Sequence, residues 1–317
     1  MTLTESKVHG RRSHLAVVSE HRGAVTTNAK SEKFEVNVIS CWGPAGSPGK
    51  STLATNLACE MTSLGQRVLL IDLDTLAPSL AVTLGLVDTP AGLSACLRLA
   101  EQDRLSPEEY RRLTVAIQVG RHELRFMSGL SSPSRWREVT IERVFKMLAT
   151  LKSEVDHVVL DLPQATNFQS SLNHPSTNSL VTDTNRDSLL VGVLESSSKV
   201  VLVTGSDPVS AHRFLGAKDY LDNNVQNANP YLVVNRFRTS ALGSKARTEL
   251  EETYLSLAKA RIDAFIPDEP GNFDRALLNG LPLALLKRSS PARQAISDLA
   301  RALLLDSASG DALAKLS

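Results

Sequence analysis

Short apolar runs recur along the chain from Val36 onwards, and longer stretches with helical spacing of apolar residues separate them. The runs are rich in β-branched residues and end at Gly, Pro, Asp or Asn, as buried strands commonly do. The pattern predicts six strands, at 36–42, 67–73, 124–128, 157–162, 199–205 and 231–237. It predicts helices near 50–64, 106–117, 140–153, 208–223, 244–258 and 291–305.

This alternation of strand and helix indicates the fold class. Strands that alternate with helices form a mostly parallel sheet covered on both faces. We therefore expect a single α/β domain with a doubly wound, mostly parallel sheet flanked by helices. Residues 1–34 are polar and are expected to form a flexible N-terminal arm, with the folded domain at 35–306 and a C-terminal tail at 307–317.

Two segments raise separate questions. The stretch 164–187 is rich in Ser, Asn and Thr, and loops of this length are either functional lids or disordered. Arg186 at its end could approach a phosphate in a second subunit, although most exposed arginines are simply solvated.

In the last helix Ile296, Leu299 and Leu303 share one face, which favours packing on the domain over a membrane-surface role.

Composition narrows the class of protein. The chain of 317 residues has 35 Lys and Arg against 34 Asp and Glu, so net charge gives no support for binding nucleic acid or an anionic membrane. Cys41, Cys59 and Cys96 form no CxxC pair, which predicts neither a disulfide framework nor a zinc site. Since no run reaches the roughly 18 apolar residues of a spanning helix, we expect a cytoplasmic protein.

The segment ISCWGPAGSPGKST places a glycine-rich turn between the first strand and a helix that opens at Lys50. The free N–H groups of a helix N-terminus and its dipole favour phosphate. Lys50 would neutralise the β- and γ-phosphates, and the Ser51 hydroxyl would bind Mg²⁺. The predicted phosphate-binding residues are Gly46, Ser47, Gly49, Lys50, Ser51 and Thr52.

The strict pattern G-x-x-x-x-G-K-[ST] is broken here. Pro44 stands where the first glycine is expected, and Pro48 has no N–H to donate to a phosphate oxygen. The simpler interpretation is a Gly/Pro-rich turn that only starts a helix.

Acidic residues end two of the predicted strands. Asp161 ends HVVLD, and Asp72 and Asp74 follow VLLI. Ligands of open parallel sheets lie beyond the carboxyl ends of the strands, so these acids should face the Lys50 loop. Asp161 is the predicted metal ligand with Ser51, and Asp72 and Asp74 are predicted to orient the attacking water. Alternatively, an aspartate at this point starts a turn or caps a helix.

With these motifs in order, residues 36–305 resemble the MinD/ParA branch of P-loop ATPases, and within it the CpaE/TadZ-like proteins of Flp/Tad-type pilus assembly. The resemblance rests on the order of GKST, IDLD, DLP, VVNR, IPDE and NGLPLALLKRSSPARQAISDLA. It implies ATP and Mg²⁺ as cofactors and a nucleotide-dependent homodimer. It also implies that Asn235 recognises adenine and that Pro267 and Asp268 line the base, although Asn235 could instead be a turn former.

The chain departs from this family at one position. MinD and ParA proteins carry a lysine, in KGGxGK[ST], that reaches the partner's phosphates, and Ala45 stands there in this chain. Because such a lysine stabilises charge in phosphoryl transfer, we expect weak ATP hydrolysis, or hydrolysis that needs another cation or partner.

Three functions remain open at this stage. The first is a slowly hydrolysing regulatory ATPase that positions or assists a larger assembly, preferably a Flp/Tad-type pilus or secretion machinery, with recruitment to the membrane through a protein partner. The second is a degenerate scaffold that binds nucleotide without turnover, or binds none. The third is a chromosome or plasmid partition or division-site ATPase, which would need a local basic surface.

Overall fold

The structure is a computed structural model. It describes residues 33–46, 48–86, 88–165, 184–226, 228–239, 243, 245–286 and 289–314. These residues belong to one compact unit that runs from Ser31 to the end of the chain. The expected arm up to residue 32, Ser47 and residues 166–183 of the polar stretch lie outside the described residues.

The described residues form an eight-stranded sheet with the order β3-β4-β2-β5-β1-β6-β7-β8. All neighbouring strands run parallel except β3 and β4, which are antiparallel at one edge. The strands are β1 Asn37–Trp42, β2 Val68–Asp72, β3 Val115–Val119, β4 His122–Met127, β5 His157–Asp161, β6 Lys199–Gly205, β7 Tyr231–Phe237 and β8 Ile262–Pro267. The predicted α/β fold with a mostly parallel sheet is confirmed.

Helices connect the strands and cover the sheet. They are α1 Lys50–Ser63, α2 Leu80–Thr83, α3 Gly92–Glu101, α4 Pro107–Leu113, α5 Ile141–Leu151, α6 Thr184–Ser196, α7 Pro208–Asn224, α8 Ala246–Ala258, α9 Pro270–Asn279, α10 Leu283–Leu286 and α11 Pro291–Ala314, with a 3₁₀ helix at Pro133–Glu138. Side chains cap several of them, because Ser106, Thr140 and Asp207 accept hydrogen bonds from main-chain amides of the first turns of α4, α5 and α7.

Two apolar cores lie on opposite faces of the sheet. Along β1, Val38 and Ile39 belong to different cores, because successive side chains of a strand point to opposite faces. One core contains residues of α3, α5, α6, α7 and α8. The other contains residues of α1 and α11, and there Ile296, Leu299 and Leu303 are buried. The prediction that the last helix packs on the domain is therefore confirmed.

The predicted helix at 106–117 is wrong in its second half. Helix α4 ends at Leu113, and Val115–Val119 form the edge strand β3. Val115, Ile117 and Val119 are more buried than Ala116 and Gln118, which is the period-2 alternation of a half-exposed strand. Gly120 follows with φ +61°, and the chain turns there into β4.

Further elements had no counterpart among the predictions. They are the strands β3 and β8 and the helices α2, α3, α6, α9 and α10. Helix α6 begins at Thr184, so residues 184–187 of the stretch expected to be a loop are helical. Within the described residues, no helix has the length and apolar character needed to span a bilayer.

Candidate functional site

The loop between β1 and α1 lies at the carboxyl edge of the sheet and packs closely on its neighbours. A Cβ on Gly43 would lie 2.2 Å from the carbonyl oxygen of Val203 in β6. Gly46 and Gly49 adopt φ values of +98° and +91°, a left-handed conformation that glycine adopts without steric cost. The loop geometry therefore depends on glycine at these two positions.

Helix α1 begins directly after Gly49 and differs from the capped helices described above. Its N-terminus has no side-chain cap, and its first turn contains no acidic residue. The helix is central to the fold, because Leu53, Leu57 and Met61 are buried. A buried helix whose first N–H groups lack a side-chain partner offers donors and a positive dipole end to an anion.

Lys50 and Asp161 lie close enough in this crevice for the charge of each to act on the other. Burial lowers the pKa of Lys50, whereas the charges of Asp161 and Asp74 oppose that change. Asp161 is fully buried at the last position of β5, where it pairs with Cys41 of β1 and Asp72 of β2 in the sheet register. The predicted convergence of Lys50 with the acids at the strand ends is thus what the fold produces.

The Asp161 carboxyl group has unused hydrogen-bonding capacity. No hydrogen bond of ordinary geometry reaches either of its oxygens from the described residues, although the Ser51 hydroxyl lies close enough to act on its pKa. Burial, followed by the neighbouring Asp72, raises its pKa to about 8, and the adjacent Ser51 hydroxyl and Lys50 oppose that rise. Buried polar groups in native proteins are nearly always paired, so an orphaned carboxyl group beside a lysine and a hydroxyl indicates a site for a ligand.

The other two predicted acids are occupied by main-chain groups. One carboxylate oxygen of Asp72 accepts hydrogen bonds from the amides of Ser79 and Leu80, each at 2.9 Å, where α2 begins. Asp74 accepts from the amides of Leu76 and Ala77, also at 2.9 Å. Both residues therefore serve as turn and helix-start acceptors, and their assignment to water activation stays a prediction.

Two side chains from the far side of the crevice contact the glycine loop. Nδ2 of Asn235, in β7, donates to the carbonyl oxygen of Pro48 at 2.9 Å. A Cβ on Gly49 would lie 2.2 Å from the same Nδ2 atom. Nη1 of Arg213, in α7, would lie 1.9 Å from a Cβ on Gly46. The sequence analysis singled out Asn235 but missed Arg213, which no local motif marks.

The remaining predicted residues border the same region. The amide of Asp268 donates to Phe237 at the end of β7, and its carboxylate pairs with Arg238 at 3.4 Å. Pro267 pairs with Phe237 in the sheet register, so both residues follow Asn235 closely in space. Thr52 lies exposed in the first turn of α1.

A separate cavity of about 720 Å³ lies at the amino ends of β6 and β7, where Lys199, Tyr231 and Asp263 line it. This is the opposite edge of the sheet from the Lys50 loop. Because open parallel sheets bind ligands at the carboxyl ends of their strands, the Lys50 crevice is the functional site that the topology favours.

The comparison with known families agrees with this placement. The family model for the CobQ/CobB/MinD/ParA nucleotide-binding domain matches residues 39–282, from β1 to the start of α10. The chain belongs to this family. In this MinD/ParA-type chain the Lys50 loop and the carboxylate at the end of β5 lie within the residues that match the family.

Individual relatives agree with the family. An uncharacterized ATP-binding protein from Methanocaldococcus jannaschii is 23% identical over 262 residues, which cover 82% of this chain and 84% of that protein. A ParA family ATPase from Chlorobium tepidum has a TM-score of 0.62 at 18% identity and covers 83% of this chain and 98% of its own. MinD of Pyrococcus horikoshii with Mg-ADP has a TM-score of 0.58 at 19% identity and covers 84% of this chain and 94% of its own. These structures share the fold of this MinD/ParA-type chain.

Proposed function

We propose that this MinD/ParA-type chain binds ATP with Mg²⁺ at the Lys50 loop and hydrolyses it slowly. The observation that carries the proposal is the orphaned, fully buried Asp161 carboxyl group beside Lys50 and the uncapped N-terminus of α1. A relative described as ATP-binding and a MinD structure with Mg-ADP support the same choice of ligand.

The residues divide into three groups by what they would hold. Lys50 and the loop amides would bind the β- and γ-phosphates, as a P-loop lysine does. Ser51 and Asp161 would hold Mg²⁺ directly or through water, and the metal would neutralise charge on the phosphates. The base would be bound by Asn235, Pro267 and Asp268, as the resemblance implies. The Asn235 carboxamide oxygen is available for this because it accepts no hydrogen bond from the described residues.

The metal fits the donors at this position. The described residues contain no cluster of three or more His, Cys, Asp or Glu side chains that could hold a metal. Mg²⁺ suits such a site because it keeps several waters and binds through one or two protein ligands together with substrate phosphates. Asp161 and Ser51 supply these two ligands.

Hydrolysis is proposed to be slow for two reasons. Ala45 provides no charge to a partner's phosphates. One carboxylate oxygen each of Asp72 and Asp74 already accepts main-chain amides, which leaves fewer acceptor positions for a water that either residue orients. This second observation favours the alternative function, a protein that binds nucleotide and acts as a scaffold with no turnover.

The cellular role follows from the resemblance in the motif order. We propose a nucleotide-dependent homodimer that positions or assists a larger assembly, with a Flp/Tad-type pilus or secretion machinery preferred and a protein partner for recruitment to the membrane. Partition of DNA is the further alternative. Binding to duplex DNA that weakens with rising salt would support partition, and its absence at low salt would exclude it.

The decisive experiment is calorimetric titration of the protein with Mg-ATP, followed by turnover assays. We expect saturable binding, and a loss of affinity of roughly 100-fold in Lys50→Ala, since a buried charge contact contributes about 3 kcal/mol. Lys218→Ala, which removes a partly buried lysine paired with Asp222 on α7, is the matched control. No binding at millimolar nucleotide would overturn the proposal, and binding with equal background turnover in both proteins would leave only the scaffold.

A further inference from the structure

The guanidinium group of Arg213 lies against the Lys50 loop from the side of α7. A Cβ on Gly46 would lie 1.9 Å from Nη1 and 2.9 Å from Cζ of Arg213. A side chain at position 46 would therefore displace this guanidinium. The contact exists because residue 46 is glycine.

The position of Arg213 is set by a well-anchored helix. Phe214 and Ala217 of α7 are fully buried, and the Phe214 ring contacts that of Tyr254 with a centroid distance of 4.6 Å. Asp207 caps the start of α7 through the amide and hydroxyl of Ser210. The backbone that carries Arg213 is consequently held in place beside the loop.

The guanidinium group itself is not engaged elsewhere. Arg213 makes no hydrogen bond or ion pair with any described residue. Asp207, an acid at the start of the same helix, is already used by the cap. A guanidinium group has five N–H donors in a planar fork that matches phosphate oxygens. An unpaired guanidinium on a phosphate-binding loop is therefore placed to bind the ligand of that loop.

Arg213 also lies beside the position where the chain departs from the MinD/ParA motif that it resembles. Gly46 directly follows Ala45, the residue that replaces the lysine of the MinD/ParA motif. That lysine acts on the phosphates of the partner subunit, whereas Arg213 contacts the loop of its own chain. The replacement charge would thus be supplied within one subunit and before any dimer forms.

We propose that Arg213 is a phosphate ligand of the nucleotide, supplied in cis from α7, and that it takes over the electrostatic role lost at Ala45. This inference rests on the proposed ATP binding at the Lys50 loop. It goes further by adding a cation that no motif of the P-loop contains. Gly46, whose φ of +98° already favours glycine, also leaves room for the guanidinium beside the loop.

The test measures the affinity of Arg213→Ala, Arg213→Lys and the wild type for Mg-ATP and for AMP. A charge-assisted contact predicts a loss of roughly 10- to 100-fold for Mg-ATP in Arg213→Ala. Arg213→Lys should recover part of the loss because it keeps the charge but not the fork. The affinity of Arg213→Ala for AMP, which lacks the β- and γ-phosphates, should fall by less than about threefold. Lys218→Ala removes a positive charge farther along the same helix and should bind like the wild type.

The possible outcomes separate the two proposals. Equal Mg-ATP affinity in Arg213→Ala and the wild type would overturn the inference and leave the proposed function intact. An equal loss for Mg-ATP and AMP would assign Arg213 to loop packing and also overturn it. A wild type that binds no nucleotide would overturn both. The urea midpoint of Arg213→Ala without nucleotide should equal that of the wild type. If it is lower, the affinity of Arg213→Lys is compared with that of the wild type instead, because lysine retains an aliphatic stem.

Discussion

At the scale of single residues, Asp161 lowers the stability of the fold at a position that the proposed function needs. Its side chain is completely buried, and its two oxygens lack hydrogen-bond partners within the described part of the chain. Leaving a buried polar group unpaired costs about 1–3 kcal/mol. Such a cost is typical of functional positions, where the missing partner is supplied by a ligand.

Replacing this carboxyl group should therefore stabilise the nucleotide-free protein. We expect Asp161→Asn to raise the free energy of unfolding by about 1 kcal/mol at pH 7, because the raised pKa of the Asp161 carboxyl group is a cost of folding that a neutral amide does not carry. The same variant should lose the stabilisation that Mg-ATP gives the wild type. Urea unfolding with and without Mg-ATP measures both effects. Asp219→Asn, at an exposed position of α7, is the control, and a destabilised Asp161→Asn would contradict the prediction.

At the scale of elements, one contact holds the amino ends of β2 and β5 together. Asp156 accepts hydrogen bonds from the main-chain amide and the guanidinium group of Arg67, at 2.9 and 2.7 Å. The main-chain amide of Asp156 donates in return to the Arg67 carbonyl oxygen at 2.8 Å. This pairing sets the register that brings Asp72 opposite Asp161 at the other end of the same strands.

The contact should contribute to stability in a pH-dependent way. The hydrogen bond from Arg67 lowers the pKa of Asp156 below its usual value of 3.8. Its contribution is therefore present above about pH 4 and is lost as the pH falls through the lowered pKa. We expect Asp156→Ala to cost about 1 kcal/mol at pH 7, a modest value because both side chains are partly exposed.

Urea unfolding between pH 3 and pH 7 measures this dependence. The difference between Asp156→Ala and the wild type should narrow at the acid end of the range. Asp222→Ala is the control, since it removes the exposed carboxylate of an ion pair within one helix and should cost at most about 0.5 kcal/mol. A difference that does not change with pH would show that packing, rather than the charge of Asp156, is responsible.

At the scale of the whole molecule, the crevice is open at the edge where β1, β2, β5 and β6 end. The Lys50 loop, Asp161, Asn235 and Arg213 all lie at this edge. The proposed dimer would close it, because the resemblance implies that two subunits meet face to face across their nucleotides. Arg213 would already be in place in the monomer, so nucleotide binding and dimerisation become separable events.

We therefore expect Mg-ATP to bind the monomer and then to promote dimers. Sedimentation velocity should show a shift towards a dimer with Mg-ATP or a non-hydrolysable analogue, and no shift with AMP. Lys50→Ala should remain monomeric under the same conditions, and Lys218→Ala should behave as the wild type does. Saturating nucleotide that leaves the protein monomeric at all concentrations tested would contradict the dimer without contradicting nucleotide binding.

The sequence alone determined the strands and the local structure of the loop before α1. The six predicted strands are present because buried parallel strands are continuous apolar runs. Gly46, Gly49, Lys50 and Asp161 could be predicted as site residues because a glycine turn before a helix and an acid after a strand are local signals. The strand β3 also had such a signal, its period-2 alternation, which the helical interpretation of 106–117 overrode. Helix α6 had little periodic signal in its sequence, because its apolar residues are spread around its axis.

Only the tertiary structure decided which partners these residues have. Asp72 lies at the expected strand end, but its carboxylate is used by the amides of Ser79 and Leu80. Asn235 and Arg213 contact the loop from positions 187 and 167 residues away from Pro48 and Gly46. Local sequence patterns carry no information on such distances. The reason is physical: propensity and periodicity act over a few residues, whereas the sheet order β5-β1-β6-β7 brings the ends of distant strands to one edge.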